Sequence, residues 1–209
     1  MLKVLRPGLA RLLTPVGKAL ARTPLTPNML TVTGAVGMTA GALGLFPTGH
    51  LFAGTMVCTG FVLTDMLDGA LARVQGSTGK FGAFLDSTLD RVGDAAVFAG
   101  IAIWLATGGH DELLAAVALF CLVAGGLVSY AKARAEGLGL RCDVGIAERT
   151  ERLLIGLVAI GLSGLGVPYV LSAGLWILAV LSAITFGQRV YAVRRAAASA
   201  SAASASAAT

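Results

Sequence analysis

The sequence predicts an all-α polytopic membrane protein, with six transmembrane helices preceded by an N-terminal amphipathic interfacial helix. Three observations lead there. The 209 residues are 56% hydrophobic and only 13% charged, with 28 glycines, a balance suited to helices packed in lipid and not to a soluble enzyme. Apolar stretches near the roughly 20 residues that cross a bilayer run over 28–47, 51–72, 82–107, 112–133, 152–167 and 169–191. Basic residues gather at alternate connections between those stretches.

Taken in order, residues 1–22 interleave Leu and Val with Lys3, Arg6, Arg11, Lys18 and Arg22. This suits an amphipathic helix lying along the interface before Pro24 and Pro27 turn the chain into the bilayer. Span one leads to Pro47–His50, a connection without Lys or Arg. Span two ends at Arg73, and the turn Gly76-Ser-Thr-Gly79, rich in backbone freedom, leads to Lys80 and span three. Gly108–Glu112 again lacks basic residues. Lys132, Arg134, Arg141, Arg149 and Arg152 surround the connection from span four to span five, the shortest. Gly164–Pro168 has none, and Arg189, Arg194 and Arg195 close span six. With six spans, every basic cluster falls on one face, which the positive-inside rule makes cytoplasmic. Both termini are therefore expected inside a multi-pass plasma-membrane protein. Residues 23–195 form the membrane domain, and 196–209, an Ala/Ser tail without charge or aromatic, reads as a linker or disordered segment.

The net charge of +5 suits anionic headgroups and phosphate substrates. No basic patch is interleaved with aromatics, so nucleic acid is not an expected partner. Cys58, Cys121 and Cys142 lack metal-type spacing and read as neutral packing residues.

Against this apolar background stand four aspartates, Asp65, Asp68, Asp86 and Asp90. A carboxylate near bilayer depth is costly unless paired or bound to a cation. Asp65 and Asp68 are i,i+3 and Asp86 and Asp90 are i,i+4, so each pair shares a helix face one turn apart. Two such antiparallel helices would close a cage of oxygen ligands at the cytoplasmic end of spans two and three. With no His or Cys nearby, that donor set favours magnesium or manganese over zinc. Pairing with Arg73 and Arg91 alone would leave the four carboxylates and neighbouring Asp94 under-neutralised. Ala70 reads as a helix-packing residue, whereas Gly69 and Gly82, beside the carboxylates, leave room for a ligand.

These residues fulfil the pattern D-x2-D-G-x2-A-R-x8-G-x3-D-x3-D at all eight fixed positions, which resembles the signature of the CDP-alcohol phosphatidyltransferases. The resemblance covers residues 1–195. It implies transfer of a phosphatidyl group from CDP-diacylglycerol to an alcohol with release of CMP, a two-ion Mg2+ or Mn2+ site, and a homodimer among membrane lipids. By the same resemblance Asp65, Asp68, Asp86 and Asp90 would ligate metal, and Asp90 would also accept the proton of the attacking hydroxyl. Asn28, Thr31, Gly69, Ala72 and Arg73, with Gly79 and Gly82, would border CDP-diacylglycerol.

The acceptor is read elsewhere. Ser129-Tyr-Ala-Lys132-Ala-Arg134-Ala-Glu136 ends span four and Glu148-Arg149-Thr-Glu151-Arg152 opens span five. With Arg189 they could gather cations around an anionic acceptor, although positive-inside topology alone accounts for part of this charge. The segments, with Leu51–Gly54 and Asp65–Gly69, resemble the branch of actinobacterial phosphatidylinositol phosphate synthases. That resemblance implies inositol phosphate as acceptor, held by Lys132, Arg134, Arg152 and Arg189. Glycerol 3-phosphate, giving phosphatidylglycerophosphate, is the alternative acceptor, since a basic pocket alone does not separate two phosphorylated alcohols. A carboxylate-lined cation transporter is the alternative of another class, and it would need charges nearer the bilayer centre and a path to the far face.

Overall fold

In a computed structural model of the chain, residues 21–76 and 79–207 are described together with positions 15 and 19, and side chains are described except at 65, 66 and 200–207. The expected interfacial helix over 1–22 thus lies almost wholly outside the described residues. Among these residues all regular structure is helical: α1 (Pro27–Leu45), α2 (Leu51–Gln75), α3 (Lys80–Thr107), α4 (Glu112–Gly137), α5 (Arg149–Gly164) and α6 (Val170–Ala207).

The helix ends follow from local chemistry. Thr26 caps α1, its side chain accepting from the Met29 amide, with Pro27 in the first turn, where its missing N–H and fixed φ cost nothing. Asp111 caps α4 by accepting from the Leu114 amide at 2.9 Å. Gly76 ends α2 in the left-handed region at φ 63°, its amide bonded to the Ala72 carbonyl, a conformation natural to glycine. α3 starts at Lys80 a short connection later, and α2 and α3 both pack against α1.

Among the described residues, four helices are long and apolar enough to cross a membrane by length and composition: Pro27–Leu45, Leu51–Gln75, Glu112–Gly137 and the stretch Val170–Ser199 of α6. α3 is long enough at 28 residues but carries Asp86, Asp90, Arg91 and Asp94. α5 has only 16 residues, about 24 Å at 1.5 Å per residue, against a hydrocarbon core of about 30 Å. α6 continues through Ala207, where the sequence reading places a linker; alanine is the best helix former, and scattered serines weaken it only slightly.

α1 packs against α2 and α3, α3 leads to α4, α4 pairs with α6, and α5 joins α2 to α6. The core lies where these faces meet, around Phe46, Cys58, Val97, Ile101, Ile160, Leu175 and Leu178. Cys58, Cys121 and Cys142 are buried free thiols. The approach of α1 to α3 is close enough that a Cβ on Gly100 would stand 2.5 Å from the Ala42 carbonyl oxygen. This contact sets the inter-helix distance above the carboxylates, because small residues permit such approach. Gly100→Ala is therefore expected to lower stability by about 1–3 kcal/mol. Unfolding midpoints in detergent check this, and an unchanged midpoint would mean that the two helices can separate freely.

Candidate functional site

The site begins where α2 ends and α3 starts. A cavity of about 470 Å³ opens there, floored by the first turns of α1. Asn28 and Thr31 face it from α1, Gly69, Ala72 and Arg73 from α2, and Gly79 and Gly82 from the turn and start of α3. All seven residues singled out for the nucleotide lipid thus line one cavity. Asp68 and Asp86 line the same cavity, as do Pro27, Lys80 and Ala83.

Small residues make that space. A Cβ on Gly82 would stand 3.3 Å from Asn28 Oδ1, so a side chain there would press on the α1 wall. Ala70, one residue from Gly69, is 2% exposed and packs inward as expected.

Asp68 is buried, and the Thr31 hydroxyl donates to its Oδ2. This bond ties α1 to the carboxylate end of α2. Asp86 is half-buried on the opposite wall. Asp65 lies on the α2 helix, but its side chain falls outside the described residues. Among the described residues no three His, Cys, Asp or Glu side chains converge as a closed metal site. Beside the cationic Arg73 and Lys80, the cavity's anionic groups are the carboxylates of Asp68 and Asp86, with no His or Cys in the lining, which fits a hard divalent cation.

Asp90 faces a different space, a gap of about 10 Å³ among α1, α2, α3 and α5, about the room of one water. Thr31 borders both spaces. Here the arginine count made from sequence needs correcting. Arg91 approaches Asp90 Oδ2 only to 3.6 Å and donates to the Ser87 carbonyl at 2.7 Å. The closer partner is Arg149, from the first residue of α5: its Nη2 lies 2.9 Å from Asp90 Oδ1 and its Nε 3.2 Å from Asp94 Oδ1. Sequence reading placed Arg149 only in the general basic cluster. The available signal was Asp94, which extends the Asp86–Asp90 face by a further turn and requires a cation.

The four residues expected to hold the acceptor separate into two behaviours. Arg152 and Arg189 are each 4% exposed. Arg152 donates to the carbonyls of Ala147 at 3.1 Å and Gly125 at 3.4 Å, and Arg189 to those of Val144 at 3.0 Å and Val128. The two guanidinium groups thus reach carbonyls three residues apart on α4, and both clasp the 138–148 connection. Lys132 pairs with Asp143 at 3.0 Å and with Glu136 at 3.8 Å, the fixed pairing that interleaved glutamates suggested. Arg134 is exposed. Buried guanidinium groups facing main-chain carbonyls keep positive charge in a low-dielectric setting, where an anion would be bound strongly.

Known proteins share both sequence and fold. Residues 24–186 match the family model of the CDP-alcohol phosphatidyltransferases. A phosphatidylinositol phosphate synthase of Streptomyces avermitilis is 48% identical over 95% of this chain and 84% of its own length. One from Mycolicibacterium smegmatis is 50% identical over 90% and 86%. The crystal structure of Mycobacterium tuberculosis phosphatidylinositol phosphate synthase with CDP-DAG bound superposes with a TM-score of 0.84 at 49% identity, covering 88% of this chain and 94% of that one. The same synthase in complex with manganese and citrate gives 0.83, also at 49% identity, over 87% and 88%. The family match, the identities and the superpositions cover the same helices that carry the aspartate pattern, and the chain belongs to the CDP-alcohol phosphatidyltransferase family.

Proposed function

We propose that this membrane enzyme transfers the phosphatidyl group of CDP-diacylglycerol to inositol phosphate, giving phosphatidylinositol phosphate and CMP. The single observation that supports this reading is the 470 Å³ cavity, lined by the seven residues expected at the nucleotide lipid together with Asp68 and Asp86. Relatives at 48–50% identity that are phosphatidylinositol phosphate synthases support the choice of acceptor. All six helices cross the plasma membrane, with both termini and the carboxylate end cytoplasmic, a topology supported by the alternation of basic connections; the chain works as a homodimer.

The cavity takes the CDP moiety, its Gly69 and Gly82 walls admitting the ligand close to the backbone. Asp65, Asp68, Asp86 and Asp90 would hold divalent ions, Mg2+ or Mn2+, which when bound neutralise charge on the transferred and leaving phosphates. Asp90 accepts the proton of the attacking hydroxyl as the new oxygen–phosphorus bond forms and the bond to CMP breaks. Lys132, Arg134, Arg152 and Arg189 hold the acceptor phosphate, two of them from buried positions.

The direct test is CMP release by purified protein given CDP-diacylglycerol and a panel of alcohols. Inositol phosphate is expected to be the best acceptor and free inositol a poor one. Preference for glycerol 3-phosphate would overturn the acceptor assignment and leave the family intact.

Asp68→Asn and Asp86→Asn should abolish turnover, and chelation should inactivate the wild type reversibly, with magnesium or manganese restoring it. Full activity after exhaustive chelation contradicts the carboxylate reading.

For the acceptor pocket, Arg152→Ala removes a charge-assisted contact worth roughly 1.5–3 kcal/mol. Apparent affinity for inositol phosphate should fall by about one to two decades, with little change for CDP-diacylglycerol. If CDP-diacylglycerol binding weakens instead, the basic group serves the nucleotide lipid.

A further inference from the structure

The reaction as described uses Asp90 but not the residue that grips it. We propose that Arg149 is a positioning residue, which sets the Asp90 carboxylate for proton transfer by spanning Asp90 and Asp94 one turn apart on α3. The inference rests on the reading of Asp90 as proton acceptor.

Arg149 uses two nitrogens of one planar group: Nη2 at 2.9 Å from Asp90 Oδ1 and Nε at 3.2 Å from Asp94 Oδ1. Two bonds from a rigid fork to two points on one helix fix the guanidinium, and through it the rotation of the Asp90 carboxylate. A point charge could not do this. The three side chains are 23%, 13% and 18% exposed for Arg149, Asp90 and Asp94, so solvent screens them less than an ordinary surface pair. Arg91 is a poorer anchor at 3.6 Å, with a side chain 41% exposed.

The position of Arg149 is informative by itself. It is the first residue of α5, the helix end where the macrodipole disfavours a cation. The local preference of the helix is thus overridden by a contact made across to α3, and such conflicts between local and global preference concentrate at functional sites. Placement near the reacting groups is equally specific. Arg149 and Asp90 border the small gap together with Thr31, and Thr31 also borders the large cavity and donates to Asp68. Thr31 is thus common to the lining of the space beside the Arg149–Asp90 pair and of the space assigned to CDP.

The experiment compares wild type, Arg149→Lys, Asp94→Asn and the double variant, purified in detergent. Lysine keeps the charge and loses the fork. For Arg149→Lys, kcat is expected to fall about 10- to 100-fold, the usual effect of removing an orienting partner, while KM for CDP-diacylglycerol stays within about twofold. Asp94→Asn should fall in the same direction by less, and the double variant should be no worse than Arg149→Lys, because both act through one link. Manganese binding, followed by electron paramagnetic resonance, should weaken about tenfold in Arg149→Lys as Asp90 loses its orientation. Wild-type kcat or wild-type manganese affinity in that variant overturns the proposal. Should Arg149→Lys fail to fold by helical circular dichroism, Asp94→Asn decides alone, and wild-type kcat there overturns it. A wild type that releases no CMP with any phosphorylated alcohol instead refutes the proposed reaction, and Asp90→Asn with full turnover refutes the role of Asp90.

Discussion

A carboxylate carried into a lipid-depth helix bundle persists only where a cation or a set of donors compensates for its lost hydration. α2 and α3 carry such groups at their facing ends, and much of the architecture answers that demand. α1 contributes Thr31 to Asp68. α5 begins with Arg149, against Asp90 and Asp94. Gly76 ends α2 close to its acidic residues, and the close approach at Gly100 ties α1 to α3 farther along the bundle. Without that compensation the carboxylates would be a liability; with it they become a pre-formed acidic wall beside a cavity.

The buried charges fall into two groups with different partners. Around Asp90 and Asp94, carboxylates and a guanidinium satisfy one another. At Arg152 and Arg189, guanidinium groups donate to main-chain carbonyls of α4 and of the 138–148 connection, and Asp94 is close enough to Arg152 to add an electrostatic attraction. A group of the second kind retains attraction for an incoming phosphate.

What could be read from the sequence was what local periodicity determines. Spacings of three and four residues place Asp65 with Asp68 and Asp86 with Asp90 on single helix faces; the cavity lining from Asn28 to Gly82 comes only through the resemblance to the family, since periodicity does not bring the start of α1 to those aspartates. Which arginine meets which carboxylate was not legible. Arg149 lies 55 residues from Asp94 along the chain, amid other basic residues that topology alone would place on that face. The same limit applies to Arg152 and Arg189, whose burial depends on how α4, α5 and α6 close over them. In the Ala/Ser tail, low complexity suggests a linker, whereas the helix propensity of alanine lets α6 continue to Ala207.

The central claim is that the carboxylate ends of α2 and α3 form a divalent-cation site opening on the cavity. Anomalous diffraction at the manganese edge, from crystals of this protein grown with manganese, tests it most directly. The account predicts an anomalous peak between α2 and α3, within ligand distance of Asp68 and Asp86. A strong peak elsewhere in the molecule, with none between those two side chains, would contradict it.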